Sequence, residues 1–294
     1  MPMRKLDLIN ERIMEVPTLP VVAQRIMDLL NSEMADYGKV ARLIEQDPTL
    51  AVKILKVANS SFYAAITGVS TIEHAMAILG GDEVRNILTS FSVYNFFRDK
   101  ETDQFDRRYF WQHAIVSSQV AKYLATYINL QDESIFLSGL IHDVGKIFLD
   151  YYFYDEFAEI LAYVIKHQVP FSLAEKEIIG VTHYQVAAKL LQRWKFPDRV
   201  VRHVFYHHAP WHDQTYTDGS IVIYLANLFA KIAGYSNLKG EGSTDLSTLT
   251  DAKLLRFLAA NGFDLDEKKM NIILANIRQF IEREKDNVLL LFAE

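Results

Sequence analysis

Cysteine is absent from the 294 residues of this sequence. Disulfide bonds and thiolate metal sites are therefore excluded, and a metal centre would have to use histidine, aspartate, glutamate or water as ligands. No apolar run approaches the ~18 residues that a membrane-spanning helix requires. The segment from Met1 to Asp7 also lacks the apolar stretch of a secretory signal peptide, so we expect a cytoplasmic protein.

Positively charged residues are fewer than negatively charged residues. The chain has 31 Lys and Arg against 37 Asp and Glu, which gives a formal net charge of −6. Excess negative charge disfavours contact with phosphate backbones and anionic headgroups, so we expect no broad binding to nucleic acid or to membranes. The content of 50% hydrophobic and 23% charged residues is otherwise typical of a globular protein.

The spacing of the apolar residues predicts an all-α fold. Asp47-Pro48 is typical of a helix start, because proline is favoured at the first helical position. The apolar residues that follow recur at helical spacing, namely Leu50, Ala51, Ile54, Leu55 and Ala58. Ser70 and Glu73 have the spacing of a capping box ahead of another apolar run, which Gly80 can end.

Composition divides the chain into three parts. The segment 98–108 is charged and has no aliphatic residue, which indicates a boundary between an N-terminal helical module (1–100) and a more apolar helical bundle (101–233). Residues 234–251 are rich in Gly, Ser and Thr, a composition typical of a mobile loop. The third part, 234–294, is predicted to consist of this loop and C-terminal helices.

Histidine is concentrated between Tyr109 and about Ile232, a segment that holds eight of the nine. His142-Asp143 interrupts the apolar segment GLIHDVGKIFLDYY, which runs from Gly139 to Tyr152, and His207-His208 forms a second adjacent pair. Adjacent helical residues point ~100° apart, so both members of the second pair can reach one site only if the helix ends there. Pro210 predicts such an end.

These two pairs, with His113 and His183, indicate a metal centre. Burial of one unpaired polar group costs about 1–3 kcal/mol. Six polar residues buried in apolar helices would therefore need interactions that offset this cost. Imidazole and carboxylate ligands suit iron, manganese, zinc or magnesium. Two such ions about 3.5–4 Å apart, bridged by a carboxylate, can clamp a phosphate and activate water.

The other histidines and Lys146 have less specific interpretations. A lone histidine in a helix is usually structural or exposed, and we interpret His74, His167 and His212 in this way. His203 lies four residues before His207 on the same helical face, so it is a candidate partner of a ligand. Lys146 is either a charge at a helix terminus or part of the site.

Several segments resemble a known family. The pattern of His113, His142-Asp143, His183 and His207-His208 resembles the HD superfamily of metal phosphohydrolases, especially its HD-GYP branch. Longer motifs resemble the HDOD domain, an HD-related output domain of bacterial signalling proteins: PTLPVVAQRIMDLL, DPTLAVKILKVANSSFYA, STIEHAMAILGGDEVRNIL, FWQHAIVSSQVAKYLA, IFLSGLIHDVGKIFL, VTHYQVAAKLLQRWKFPDRV and YHHAP. The resemblance covers roughly residues 10 to 235 and implies an N-terminal helical module packed on an HD-like helical bundle.

The resemblance also implies a ligand set. One or two divalent ions, with iron as the first candidate and manganese, zinc, magnesium or nickel as alternatives, would be held by six residues: His113, His142, Asp143, His183, His207 and His208. Two departures weaken this set. Asn227, in IVIYLANLFAKI, stands where active HD enzymes have a final aspartate, and no GYP segment follows the second histidine pair.

Three functions are compatible with these features. The first is a non-catalytic output or regulatory module of bacterial signal transduction, which binds signalling proteins or a nucleotide second messenger. The second is a metal-dependent phosphohydrolase, a phosphodiesterase acting on a cyclic dinucleotide or nucleotide, in which Asp143 bridges the metals and Lys146 contacts a substrate phosphate. The third is a scaffold without metal.

Overall fold

The computed structural model describes residues 5–16, 29, 36–59, 68–98, 102, 105–236, 238 and 245–289. All regular secondary structure in these ranges is helical, which confirms the predicted all-α class. Among the helices of the described ranges, none is both long and apolar enough to cross a bilayer.

The helices follow one another closely along the chain. In chain order they are α1 (Lys5–Glu15), α2 (Tyr37–Glu45), α3 (Pro48–Ala58), α4 (Ile72–Leu79), α5 (Gly81–Arg98), α6 (Arg107–Tyr127), α7 (Ile135–Ile141), α8 (Val144–Tyr152), α9 (Tyr154–His167), α10 (Phe171–Ile178), α11 (His183–Arg193), α12 (Asp198–Tyr206), α13 (Thr217–Ile232), α14 (Ala252–Ala260) and α15 (Glu267–Leu289). Two short 3₁₀ helices lie at Pro210–His212 and Leu246–Leu249.

The chain forms two compact units. The first unit consists of Met1–Thr18 and Asp99–Arg278, and the second consists of Leu19–Arg98 and Gln279–Glu294. The predicted division at residues 100 and 233 stays a prediction about domains. Of the loop predicted at 234–251, residues 237 and 239–244 lie outside the described residues.

The second unit has its own apolar core between α2, α3, α4 and α5. Its fully buried side chains are Val40, Ile44, Ile54, Ala58, Ala75 and Val84. The predicted start of α3 is confirmed, because the backbone N–H of Leu50 donates to Asp47 Oδ1 at 3.2 Å.

The predicted cap of α4 is wrong by one residue. Thr71, not Ser70, accepts the hydrogen bond from the backbone N–H of His74, at 3.2 Å. The backbone of Thr71 is extended, with φ −121° and ψ 151°, which is the conformation of an N-cap residue. Both residues carry a hydroxyl, so the sequence pattern did not separate them.

The first unit is a helical bundle in which neighbouring helices carry the polar residues of interest. Helix α6 packs against α7 and α13, while α11 packs against α8 and α12. Large aromatic side chains fill the interior, among them Phe110, Phe148, Phe157 and Phe229, all at most 1% exposed. Helices α6 and α11, the junction of α7 with α8, and the end of α12 therefore face one interior region.

Candidate metal centre

A break between two helices holds the first polar pair. Helix α7 ends at Ile141 and α8 begins at Val144, so His142 and Asp143 lie in the turn between them. Both are buried, with exposed fractions of 0% and 1%. Asp143 occupies the N-cap position of α8, yet its side chain makes no capping bond. Its carboxylate lies among imidazole rings instead.

Gly145 allows α8 to approach α11 closely. A Cβ atom at this position would overlap the backbone carbonyl oxygen of His183 and lie 2.8 Å from its carbonyl carbon. Only a residue without a side chain permits this contact between backbones. The glycine within the apolar segment is therefore what brings the start of α11, and with it His183, up to Asp143.

The two carboxylate oxygens of Asp143 face different histidines. On one side, Oδ1 is 3.0 Å from His183 Nε2 and 3.5 Å from His207 Nε2. On the other, Oδ2 is 3.3 Å from His142 Nε2 and 3.9 Å from His113 Nε2. Asp143 thus lies between two sets of imidazole nitrogens.

The structure brings all six predicted ligands together in two groups that share Asp143. In each group the potential ligand atoms lie within 4.8 Å of one another. We call these the Oδ1 group (Asp143, His183, His207 and His208) and the Oδ2 group (His113, His142 and Asp143). Helix α12 ends at Tyr206, as predicted, and so both members of the second histidine pair reach the Oδ1 group.

Backbone carbonyl groups fix the orientation of three imidazole rings. The Nδ1 atoms of His113, His142 and His207 lie 2.7, 2.7 and 2.6 Å from carbonyl oxygens of Tyr235, Gly139 and Val204. A carbonyl oxygen can only accept a hydrogen bond, so each Nδ1 carries the proton. In the neutral ring Nε2 is then left as a bare acceptor, the form that binds metal.

Two of these bare acceptors face each other. His113 Nε2 and His142 Nε2 are 3.2 Å apart. Burial, together with the neighbouring His142, lowers the pKa of His113 to about 3, so the His113 ring is neutral near neutral pH. In the Oδ1 group, His183 Nε2 and His208 Nε2 are also 3.2 Å apart, and two nitrogens ~2.0–2.1 Å from one ion are about 2.9–3.4 Å apart at ordinary angles. The residues present therefore fit a divalent metal ion.

Electrostatic effects keep three further residues of the cluster in the protonation state that binds metal. Burial lowers the pKa of His207 to about 3 and holds the pKa of His208 well below its usual value. For Asp143, burial would raise the pKa, but Lys146 and the imidazoles of His142 and His183 outweigh it and hold the pKa well below the usual range. The centre thus combines an ionised carboxylate with neutral imidazoles at His113, His207 and His208.

Glu175 is a functional candidate that the sequence analysis missed. This residue of α10 is fully buried, with Oε2 2.7 Å from His183 Nδ1 and Oε1 accepting from the His183 backbone N–H at 2.9 Å. Burial would lower the pKa of His183, but the charges of Glu175 and Asp143 outweigh it and raise the pKa. The sequence signal that could have identified Glu175 is its position in the helix. It lies on the same buried stripe of α10 as Phe171 and Ala174.

Replacement of Glu175 by Gln is expected to weaken metal binding about 10- to 100-fold, the usual effect of removing a carboxylate behind a histidine ligand. The NH₂ group of the glutamine amide would face one of the two His183 N–H groups, so that two hydrogen-bond donors would meet. Calorimetric titration of the apo-protein with Zn²⁺ measures the change. Glu177→Gln, an exposed change on the same helix, is the matched control. Equal affinities for both variants would contradict the role of Glu175.

The remaining predicted residues fall into three classes. His74, His167 and His212 are exposed, as expected of residues outside a site. His203 is buried, but its Nδ1 lies 3.1 Å from Ser138 Oγ of α7, so its hydrogen-bond partner is not one of the six ligands. Lys146 lies in the first turn of α8, is only 1% exposed and has its Nζ 2.8 Å from Asp143 Oδ2, so it is both near a helix terminus and in contact with the cluster.

Asn227 lies on α13 and is 3% exposed. Its Oδ1 is buried and has no hydrogen-bond partner among the residues that the structure describes. Lys231 lies one turn further along the same helix, and its positive charge helps to lower the pKa of His113 and of His208, after the larger effects of burial and neighbouring histidines. Asn227 and Lys231 are four residues apart and therefore share one face of α13.

Comparison with known proteins gives one family. The model of the HDOD domain matches residues 16–210. A curated protein of Treponema pallidum (strain Nichols), described only as uncharacterized, is 22% identical over 204 residues. The match covers 68% of this chain and 39% of that protein, so the chain spans well under half the length of this relative.

Three solved structures resemble the whole chain. An HDOD domain protein of unknown function from Geobacter sulfurreducens has a TM-score of 0.77 at 21% identity, covering 98% of this chain and 97% of that chain. A candidate phosphohydrolase from Shewanella amazonensis SB2B has a TM-score of 0.75 at 21% identity, with coverages of 97% and 98%. A candidate signal transduction protein from Marinobacter aquaeolei VT8 has a TM-score of 0.72 at 25% identity, with coverages of 100% and 62%.

Proposed function

Because this chain belongs to the HDOD domain family, we propose that it is a regulatory output module of bacterial signal transduction whose HD-type centre binds metal without hydrolysing phosphodiesters. The family and the similar structures support a regulatory or phosphohydrolase-like module. The candidate signal transduction protein of Marinobacter aquaeolei supports the regulatory alternative. Signalling proteins or a nucleotide second messenger would be its partners, in the cytoplasm.

The observation that carries the proposal is the neutral side chain of Asn227. An amide offers one carbonyl oxygen to a cation but no negative charge, and the two ligand groups otherwise share the single carboxylate of Asp143. A weakly held ion lowers the pKa of bound water less, and it is this lowering that generates a nucleophile near neutral pH. The buried, unpartnered Oδ1 of Asn227 supports a position facing polar ligands rather than the apolar core.

The six cluster residues would hold the metal, and Lys146 lies beside them. A bound divalent ion would supply Lewis acidity towards a phosphate oxygen. The protein's own contribution is to hold the rings: three through backbone carbonyl groups and His183 through Glu175. Tyr184 packs at the partly exposed His208, with ring centroids 5.6 Å apart, and lies where the cluster meets solvent.

The parent protein is therefore expected to show no multiple turnover of cyclic di-GMP or of a generic phosphodiester after loading with Mn²⁺ or Fe²⁺. Chromatography of the products under single- and multiple-turnover conditions tests this. Multiple turnover that disappears in His183→Ala would reject the regulatory proposal.

Asn227→Asp is expected to strengthen Zn²⁺ binding by about tenfold, since each ~1.4 kcal/mol of added attraction is one factor of ten. Calorimetric titration gives the affinity, and Asn271→Asp, at an exposed position of α15, controls for the change of net charge. An unchanged affinity would show that position 227 does not face the site.

A second candidate function is that of a metal-dependent phosphohydrolase acting on a cyclic dinucleotide or nucleotide. The observation that favours it is that Lys146 is buried against Asp143 within a set of six converging ligands. In this alternative Asp143 bridges two ions and Lys146 contacts a substrate phosphate. The turnover experiment above separates the two functions.

A further inference from the structure

Lys146 and the imidazoles compete for one side of Asp143. The ammonium Nζ is 2.8 Å from Oδ2, closer than His142 Nε2 at 3.3 Å and His113 Nε2 at 3.9 Å. On the other side of the carboxylate, Oδ1 has His183 Nε2 at 3.0 Å and His207 Nε2 at 3.5 Å. The ion pair between the Lys146 ammonium and Asp143 thus lies on the side of the Oδ2 group.

The position of this ammonium is built into the fold. Lys146 is three residues after Asp143, which sits at the N-cap of α8, so both side chains project from the first turn of one helix. Its side chain is only 1% exposed, and its Nζ lies 5.2 Å from the centroid of the Phe171 ring. A buried lysine of this kind cannot swing into solvent as a surface lysine does, so a cation at Oδ2 would have to share the site with it.

The negative charges are distributed unequally between the two groups. Glu175 hydrogen-bonds His183 and so reinforces the Oδ1 group, which also has three imidazoles. The Oδ2 group has two imidazoles, and Lys146 already neutralises its carboxylate oxygen. An ammonium donates hydrogen bonds and has no lone pair to offer a metal. A divalent ion in the Oδ2 group would be repelled by this like charge, which lies 2.8 Å from Oδ2.

We propose that the Lys146 ammonium takes the place of a second cation at Oδ2 of Asp143, so that the centre holds a single divalent ion in the Oδ1 group. This inference rests on the proposed metal site and makes it more specific. The two facing nitrogens of the Oδ2 group then remain close to the ion without forming a second binding site.

Metal stoichiometry tests the proposal. Apo-protein is loaded anaerobically with Fe²⁺ and separately with Zn²⁺, and bound metal is measured by elemental analysis after desalting. We expect about one equivalent in the parent and in Lys146→Arg, and a value rising towards two in Lys146→Met, which removes the charge but keeps most of the side-chain volume. Two equivalents in the parent, or one in a folded Lys146→Met, would overturn the proposal.

A second pair of variants tests it without changing Lys146. His207→Ala, in the Oδ1 group, is expected to lose the ion, whereas His142→Ala, in the Oδ2 group, is expected to keep it with at most about tenfold weaker affinity. The reverse pattern would place the ion at Oδ2 and contradict the inference. Failure of the parent to retain either metal would reject the metal site itself, and with it the metal-binding part of the proposed function.

Discussion

His183→Ala is expected to abolish metal retention, with a loss of affinity greater than about 100-fold. The reason is that His183 is held by Glu175 on one side and points Nε2 at Asp143 Oδ1, 3.0 Å away, on the other. Removal of a carboxylate behind a ligand already costs about 10- to 100-fold, and removal of the ligand itself should cost more. Elemental analysis of protein purified without chelator or metal-affinity resin measures the effect.

His167→Ala is the matched control for this variant. His167 lies at the exposed end of α9, outside both ligand groups, and its ring contacts only that of Tyr163 among the ring contacts described, with centroids 4.2 Å apart. Its loss should leave metal content unchanged. If the two variants retain equal amounts of metal while both stay folded, the centre has been assigned to the wrong residues.

Gly145→Ala is expected to lower the free energy of unfolding by about 3 kcal/mol or more. Overpacking usually costs about 1–3 kcal/mol, and here the added carbon would meet a backbone carbonyl group that no side-chain rotation can move away. Helix α8 or the start of α11 must shift, and His183 shifts with it. Metal affinity should therefore fall together with the melting temperature, which calorimetry measures for the apo- and metal-loaded forms.

Gly38→Ala provides the comparison. The same substitution in α2 would place a Cβ 3.4 Å from Asp36 Oδ1 and 3.6 Å from Arg42 Nη1, which are tolerable contacts. Alanine is favoured over glycine within helices by up to about 1 kcal/mol, so this variant should be neutral or more stable. If Gly145→Ala also leaves the free energy of unfolding unchanged, the packing of α8 against α11 does not require glycine at position 145.

The sequence predicted the cluster because its members break an apolar pattern. His142-Asp143 and His207-His208 are pairs of polar residues in segments whose other residues are mostly apolar and typical of a protein core. The structure brings both pairs together. Glu175 was missed because its charged neighbours in AEKEI hide the helical stripe on which it lies. Its role depends on a contact with His183 eight residues later, which local spacing does not reveal.

Other failures have the same origin. The interpretation of Lys146 could not be decided from sequence, since a lysine after a glycine has the same local pattern at a surface and in a core. His203 shares a helical face with His207, but its hydrogen-bond partner is Ser138, 65 residues earlier. Helical spacing predicts which residues share a face, whereas the partner opposite that face is set by tertiary packing.

The Oδ1 group also links the stability of the chain to the supply of metal. In the folded chain, His183 Nε2 and His208 Nε2 lie 3.2 Å apart beside Asp143, an arrangement that the unfolded chain lacks. An ion that binds only the folded chain adds about 2.7 kcal/mol of stability at a free concentration 100 times its dissociation constant. The abundance of the folded protein in a cell would then follow its metal pool, even if the centre never turns over a substrate.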